Sequence, residues 1–418
     1  MKGQFYKAKR HKLLEKVKDN SVIVLFAGNA PKKTADEAYP FTPNRNFYYL
    51  TGVQEPDHIL LMSKINGKEK NILFIKDIDL ELEKWIGKSL RENEALDIAG
   101  VDEVMFKSTF EDYFHRLISM KEEFNLYLDL ERDAFNSMNS ISQIFAKEIV
   151  SKYPQISVRN IYASIAALRL IKSNEEIENI KEAIKITIAG VETLMKNAQD
   201  GMKEYELEAY FDFNCKSKGV KDLAFNTIAA TGKNATVLHY VDNNAEMKDG
   251  DLILFDLGAE YNCYNADISR TFPVNGKFTE RQKEVYNAVL KVNEEIIKTI
   301  KPGITTAELN AKANDLLGEA CVSLCLLEDK KDFRKYYFHS IGHSLGMDTH
   351  DIETPHRDIT FEPGVVFTVE PGIYIAEEGI GIRIEDDILV TEDGVINLSS
   401  DIIKTVEEIE NFMSKNGK

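Results

Sequence analysis

The segment from Leu252 to Asp267, LILFDLGAEYNCYNAD, restricts the possible folds of this chain more than any other part of it. It begins with an apolar run, LILF, and then places Asp256 where a buried strand would normally carry another Val or Ile. Asp267 follows eleven residues later, after a turn-rich loop, and leads into the β-prone ISRTF. This pattern predicts a β-hairpin with one carboxylate on each arm, facing each other across the pair.

Two carboxylates close to an apolar sheet are costly unless one is protonated or a cation lies between them. The alternative is a pair of exposed turn or cap residues, since Asp is common beside turns. The hairpin by itself leaves both interpretations open, and the rest of the chain favours a cation.

The composition is that of an ordinary globular protein. The 418 residues are enough for two domains, and the formal net charge of −17 argues against nucleic acid or an anionic membrane as the main partner. No apolar run approaches the ~18 residues of a membrane helix, and the polar N-terminus does not resemble a signal peptide. Four cysteines without a CxxC pair favour reduced thiols. We therefore expect a cytoplasmic protein, and a homodimer or homotetramer is compatible with these features.

Two regions with different patterns follow one another along the chain. In the first, residues 1–165, short apolar strands alternate with helical segments, which predicts a small α/β domain. Ser173 and Glu176 form a capping box that opens a helix from Asn174 to about Lys196. The second domain therefore starts near residue 166 and extends to 418, and the fold class of the whole chain is α+β.

The second domain contains an internal repeat. A glycine is followed after four residues by Glu-Leu-x-Ala, first at 201–209 and again at 303–311. Further on, a glycine precedes an acid by six residues across an apolar run, and a second acid follows, in both halves. Matches this short can arise by chance, but their preserved order favours a duplication. Each half is predicted to contain two helices and a hairpin with two carboxylates, and the four acids are Asp256, Asp267, Glu370 and Glu385.

Histidines are concentrated in the second domain. Of the eight in the chain, four fall within eighteen residues and one lies upstream in VLHYVDNN: His339, His343, His350, His356 and His239. The segment YYFHSIGHSLGMDTHD mixes His with Gly and Ser, which predicts a loop. A lone His is more often a packed core residue, but this density makes that account a poor one for the whole set.

Four carboxylates and one imidazole form a hard, oxygen-rich ligand set. Such a set suits two divalent ions of the manganese, cobalt or iron kind better than zinc, and Mn²⁺ is the expected cofactor. Two shared carboxylates would hold the ions ~3.5–4 Å apart, and the four negative charges would balance two dications. A hydroxide bridging both ions would be a nucleophile at neutral pH, because coordination lowers the pKa of water toward ~7.

The ordered ligand set resembles the signature of the pita-bread metallopeptidases, a family with a duplicated ααββ catalytic domain. ILFDLGAEYNCYNADISRTFPVNGKFT, GHSLGMDTHD, VEPGIYI and GIRIEDDILVT are most similar to the aminopeptidase P branch, and NRNFYYLTGVQEP resembles the start of its additional N-terminal domain. The resemblance implies that Asp256 binds one metal, that His343 and Glu370 bind the other, and that Asp267 and Glu385 bridge the two.

The same resemblance implies further roles. Glu370 would pass a proton from the nucleophilic water to the leaving proline nitrogen, and His239 and His350 would hydrogen-bond the substrate carbonyl. Four other residues would bind or orient the substrate or the metal ligands: His339, Arg383, Tyr374 and Trp85, the last of which would match a tryptophan that reaches a neighbouring subunit's active site.

The implied activity is removal of an N-terminal residue from peptides with proline at the second position. The bond before proline is a tertiary amide without an N–H, so general peptidases lose a contact there. Two alternatives remain: a prolidase restricted to Xaa-Pro dipeptides, and a catalytically silent pita-bread binding module. Cleavage of longer Xaa-Pro peptides would distinguish an aminopeptidase from a prolidase. Binding of metal would distinguish an enzyme from a silent binding module.

Overall fold

A computed structural model of the chain describes residues 3–119, 121–132, 134–351 and 358–416. The chain divides into two compact units, Met1–Leu168 and Arg169–Lys418. The predicted boundary between residues 165 and 166 lies in a helix, Tyr162–Leu170, and the domain ranges 1–165 and 166–418 stay a prediction. Within the described part of the chain, no helix has both the length and the apolar composition needed to cross a membrane.

The N-terminal unit is built on one mixed six-stranded sheet. Its first strand, Ser21–Phe26, is buried along its whole length, as the run SVIVLF predicts, and pairs antiparallel with Ile59–Ile65 and parallel with Phe124–Leu128. Across the sheet the strands lie in the order Glu103–Phe106, Lys68–Ile75, Ile59–Ile65, Ser21–Phe26, Phe124–Leu128 and Ile156–Asn160. A small exposed hairpin pairs Lys32–Thr34 with Glu37–Ala38. The helices are Gly3–Glu15, Arg45–Thr51, Leu80–Ile86, Glu92–Ala99, Phe110–Ile118 and Ile141–Lys152, with a 3-10 turn at Lys107–Thr109.

The first half of the C-terminal unit contains two helices and a three-stranded antiparallel sheet. The helices are Asn174–Asn197, which begins at the predicted capping box, and Glu204–Ser217. The sheet consists of Ile228–Thr231, Leu252–Leu257 and Ile268–Pro273, with a two-residue ribbon, Glu260–Tyr261 and Tyr264–Asn265, between the last two strands. A 3-10 turn, Gly232–Thr236, follows the first strand.

The second half repeats this order. Its helices are Glu280–Thr299 and Thr306–Ser323, followed by a 3-10 turn at Lys330–Lys335. Its strands are Val366–Val369, Gly372–Ile375, Ile380–Arg383, Asp386–Thr391 and Gly394–Asn397, and the helix Val406–Lys415 follows them. Two helices followed by paired strands in each half confirm the predicted α+β class and the duplicated ααββ domain.

The register of the first hairpin differs from the prediction. Asp256 pairs with Ser269 rather than with Asp267, so the two carboxylates do not face each other directly. Because Asp267 is two residues from Ser269, it still lies on the same face as Asp256, diagonally across the pair. The same register continues through Glu260–Tyr261 and Tyr264–Asn265, so it is set by the two-residue turn at 262–263, where both residues have a positive φ. Next to the two acids, a Cβ atom on Gly258 would lie 1.8 Å from the carbonyl oxygen of Ala266. Only a glycine permits this close approach.

Candidate metal centre and active site

One cavity in the Arg169–Lys418 unit brings together most of the predicted site residues. Its volume is about 840 Å³, and its wall contains nine of the eleven residues to which the resemblance assigns a role. They are His239, Asp256, Asp267, His339, His343, His350, Glu370, Arg383 and Glu385. The cavity is large enough for a short peptide.

Three of these side chains form a compact cluster. Ligand atoms of Asp267, His343 and Glu385 all lie within 4.8 Å of one another. The Nε2 atom of His343 is 3.4 Å from Oδ2 of Asp267 and 3.8 Å from Oε1 of Glu370. Residues from both halves of the repeat therefore meet at one point.

The strand pairing of the second half explains where two of the acids lie. Val369 pairs with Asp386, and Gly372 pairs with Arg383. Glu370 and Glu385 therefore lie opposite each other, at the point where the two strand pairs meet. A backbone hydrogen bond from the Glu385 amide to the carbonyl of Ser269, 3.1 Å long, connects this point to the first half.

The electrostatics of these acids are unfavourable without a cation. Burial raises the pKa of Asp267 well above its ordinary value, and the neighbouring Asp256 raises it further. Burial and Asp267 likewise raise the pKa of Glu385, and burial raises that of Glu370 to about 7, although His343 favours its charged form. These carboxylates face one another in a low-dielectric site, so their ionised forms repel.

The donor set fits divalent metal ions. Within the described residues, the buried Oδ1 atom of Asp256 has no hydrogen-bond partner, so an oxygen suited to a hard cation is left free. Four carboxylates and one imidazole are the ligands that oxygen-preferring divalent ions take. The residues that would hold the ions are Asp256, Asp267, His343, Glu370 and Glu385, and positive charge among them would remove the repulsion.

Arg383 orients two of these acids. Its Nη2 atom donates to Oδ2 of Asp256 at 2.7 Å, and its Nε atom donates to Oγ of Ser269 at 2.7 Å. The Ser269 hydroxyl in turn donates to Oε2 of Glu385 at 2.7 Å. Arg383 Nη1 also reaches the Tyr374 hydroxyl at 3.2 Å. Ser269 was not singled out from the sequence, since a serine in a strand gives no signal of this contact.

His339 is held in one orientation on the cavity wall. Its Nδ1 atom lies 2.8 Å from the carbonyl oxygen of Ser340, and its Nε2 atom lies 2.8 Å from the hydroxyl of Tyr374. Burial, together with the positive charge of Arg383, lowers the pKa of His339 to about 3. At neutral pH this ring is therefore uncharged, with Nδ1–H donating to the carbonyl and Nε2 accepting from the tyrosine.

The two histidines predicted to contact the substrate belong to different loops. His350 packs against His343 with ring centroids 4.0 Å apart, and burial lowers its pKa to about 4. His239 is exposed and follows the 3-10 turn Gly232–Thr236. Both line the cavity, so their ring N–H groups can reach a substrate bound there.

Two of the predictions, for Trp85 and His356, are not tested by this cavity. Trp85 lies on the helix Leu80–Ile86 of the other unit and is 86% exposed, and its proposed contact with a neighbouring subunit stays a prediction. His356, which contributed to the predicted histidine cluster, lies outside the described residues. The predicted loop around His339, His343 and His350 contains no helix or strand over the described residues 338–351.

Two parts of the chain match known protein families. Residues 178–392, just over half of the chain, match the model for metallopeptidase family M24, and residues 6–127 match the N-terminal domain of aminopeptidase P. The chain belongs to metallopeptidase family M24. It is accordingly a peptide hydrolase, which the metal-type donor set in the cavity fits.

Individual relatives are similar over almost the full chain. The Xaa-Pro aminopeptidase of Escherichia coli K12 is 34% identical, with 98% of this chain and 97% of the relative covered. A Bacillus anthracis protein solved as a proposed aminopeptidase P is 48% identical with a TM-score of 0.97, covering 100% of this chain and 99% of that one. Aminopeptidase P from E. coli with the inhibitor Pro-Leu is 32% identical with a TM-score of 0.91, at 100% and 99% coverage. These likenesses extend through both units.

Proposed function

We propose that this enzyme is an Xaa-Pro aminopeptidase that releases the N-terminal residue of peptides with proline at the second position and uses two divalent ions, with Mn²⁺ the best fit. The observation that carries the proposal is the convergence of Asp267, His343 and Glu385 within 4.8 Å, in a cavity also lined by Asp256 and Glu370. The names of the relatives at 34% identity and above support the proline specificity.

When bound, the ions would lower the pKa of water toward ~7 and so supply a hydroxide nucleophile bridging them at neutral pH. Asp256 would bind one ion, His343 and Glu370 would bind the other, and Asp267 and Glu385 would be shared between both.

The remaining steps belong to side chains of the chain itself. His239 and His350, on two different loops that line the cavity, would donate hydrogen bonds to the carbonyl oxygen of the scissile bond as negative charge develops there. Glu370 would transfer a proton to the proline nitrogen, which must be protonated to leave. His339, held by Tyr374 at 2.8 Å, would form a rigid wall for the proline ring.

Proline itself explains the need for such a wall. Its tertiary amide offers no N–H to a peptidase, so recognition must come from the shape of the ring and from the carbonyl oxygens on either side. A fixed, neutral imidazole beside a tyrosine gives a surface of that kind, whereas a mobile side chain would not.

A peptide panel tests the proposal. The purified, Mn²⁺-loaded protein should release the first residue from Xaa-Pro tripeptides and longer peptides, and should leave matched Xaa-Ala peptides intact. Cleavage of Xaa-Pro dipeptides alone would identify a prolidase instead. A protein that binds no Mn²⁺ by elemental analysis and cleaves nothing would be a binding module.

One substitution tests the carbonyl-binding role. His350→Ala should lower kcat by about 10²–10³-fold, the typical cost of one oxyanion donor, with metal content unchanged. His11→Ala is the control, because the side chain of His11 is exposed and lies in the N-terminal unit. A fully active His350→Ala variant would contradict the role.

Two further properties belong to the proposal. No disulfide joins the four cysteines in the described part of the chain, which supports a cytoplasmic location, where thiols stay reduced. A homodimer or homotetramer is expected, with Trp85 contributing to a neighbouring active site. Light scattering, with and without Trp85→Ala, measures the subunit number.

A further inference from the structure

Glu204 has an unusual environment for an acid. It is the first residue of the helix Glu204–Ser217, and its side chain is 0% exposed. Its two oxygens accept four hydrogen bonds. Oε1 accepts from the amide of Thr231 at 2.7 Å and from Nδ2 of Asn234 at 3.2 Å, and Oε2 accepts from the hydroxyl of Tyr240 and the amide of Ala245, both at 2.9 Å.

All four donors belong to the segment 231–245, which carries His239. Apart from the 3-10 turn Gly232–Thr236, this segment has no helix and only the final residue of a strand, so few backbone hydrogen bonds define its path. Glu204 contacts the segment at three places: near its start, at Tyr240, which is next to His239, and at its end. The amide of Glu204 also donates to the carbonyl of Ala245 at 3.0 Å, which closes the end of the segment a second time.

A second acid of the same helix holds the segment at another position. Glu208, one turn further along, accepts from Nδ2 of Asn243 at 2.9 Å, and Oδ1 of Asn243 accepts from the amide of Ala229 at 3.0 Å. Asn243 has a φ of 45°, so this anchor also fixes a left-handed backbone position. Glu208 does not reach Tyr240, so the connection to His239 is made by Glu204.

Burying a carboxylate is costly unless hydrogen bonds replace its hydration. All four hydrogen bonds to Glu204 form only when the segment 231–245 adopts the observed conformation. The burial of Glu204 therefore favours that conformation over others. We propose that Glu204 is a positioning residue that holds His239 at the angle needed to bind the substrate carbonyl. This rests on the proposed function, in which His239 is the group that touches the substrate.

The decisive variant is Glu204→Gln, which keeps the size of the side chain but replaces one acceptor oxygen by an NH₂ group that cannot accept. Because misplacing a catalytic group by ~1 Å can cost 10²-fold, we expect kcat for an Xaa-Pro tripeptide to fall by about 10–100-fold with KM changed by less than about threefold. Glu206→Gln, an exposed capping residue of the same helical turn, is the matched control and should be unaffected.

A double-mutant cycle separates positioning from a general structural role. Combined with His239→Ala, Glu204→Gln should cause no further loss of kcat, since there is no imidazole left to position. Combined with His350→Ala, which lies on another loop, it should keep its full effect. Equal losses in both backgrounds, or a fully active Glu204→Gln, would overturn the proposal.

Two measurements keep the test valid if Glu204→Gln folds poorly or if the proposed activity is absent. Tyr240→Phe removes only the hydrogen bond next to His239 and should lower kcat by about 3–10-fold, about the worth of one ordinary hydrogen bond, whereas Tyr205→Phe on the exposed face should not. Amide hydrogen exchange should increase in 231–245 of Glu204→Gln and nowhere else. If the unaltered protein cleaves no Xaa-Pro peptide, the proposed function fails, and unchanged exchange in 231–245 would separately overturn the role of Glu204.

Discussion

Two kinds of buried acid in the Arg169–Lys418 unit differ in what faces them. Asp351 contacts two buried cations, Arg169 at 2.6 Å and Lys172 at 3.0 Å. Burial alone would raise its pKa, but these cations outweigh burial and hold the pKa at about 2. Asp267 and Glu385 instead face other carboxylates, and their pKa values are raised.

Two adjacent residues can differ in this way, one facing carboxylates and the next facing cations. Asp386 follows Glu385 directly, yet it points to Arg270 and Lys404, both at 2.6 Å. Burial opposes its charge, but the two cations lower its pKa below the ordinary value. Depth in the protein therefore does not distinguish a structural acid from a metal ligand. For these four acids the distinction lies in whether the protein supplies the compensating positive charge.

The comparison is tested most strongly by removing an acid that lacks a cation. Glu385→Gln should lower activity by more than about 10³-fold, beyond the cost of a single oxyanion donor, and should reduce the bound metal. The metal-free variant should be no less stable than the unaltered protein, because a repulsive charge is lost. Activity assays, elemental analysis and urea unfolding measure the three quantities, with the exposed Glu377→Gln as control. If metal-free Glu385→Gln lost several kcal/mol of unfolding free energy, Glu385 would not be an acid under repulsion from its neighbours.

An acid of the other group should behave in the opposite way. Asp351→Asn leaves two buried cations without their partner and should destabilise the metal-free protein by about 3–5 kcal/mol. Asp348→Asn, whose side chain is 38% exposed although it contacts Arg169, should cost about 1 kcal/mol or less. Urea unfolding of both variants gives the comparison, and equal costs would contradict it.

Added metal should act on one group only. Mn²⁺ at about 100 times its dissociation constant should stabilise the folded protein by about 2.7 kcal/mol, seen as a rise in Tm. The same addition should have a much smaller effect on Asp267→Asn, which lacks one of the clustered oxygens. A Tm that Mn²⁺ leaves unchanged in the unaltered protein would show that the cluster binds no ion.

Acid should act on the group that has cations. The lowered pKa of Asp351 means that its contribution is fully present above about pH 4, the unfolded value, and is lost as the pH falls toward about 2. That contribution is at most roughly 2.6 kcal/mol. The difference in unfolding free energy between the metal-free protein and Asp351→Asn should therefore narrow over this range. A constant difference would mean that Asp351 is not held in its charged form.

The sequence predicted those parts of the site that depend on local pattern and on chain order. An acid after an apolar run, a capping box at Ser173 and a Gly-rich histidine loop are all visible within a few residues. The offset between Asp256 and Asp267 was missed, because the register depends on which two residues form the turn. The turn lies at Asn262 and Cys263, one position away from where the two acids would pair directly.

Contacts between distant parts of the chain were missed as well. Asp351 and Arg169 are 182 residues apart, and Glu204 binds a loop that begins 27 residues later. No periodicity links such positions, and each residue alone resembles an ordinary surface charge. Only the folded chain distinguishes an acid that anchors a loop from one that faces solvent.

The absence of a Cβ atom at Gly258 also limits which positions of this enzyme can be substituted. Even an alanine there would push away the Ala266 carbonyl, and Asp267 is attached to that same carbonyl. Libraries that aim to alter selectivity by varying the cavity wall should therefore keep this position constant, although it touches no substrate. A variant at Gly258 that still cleaved normally would show that the strand can absorb the displacement elsewhere.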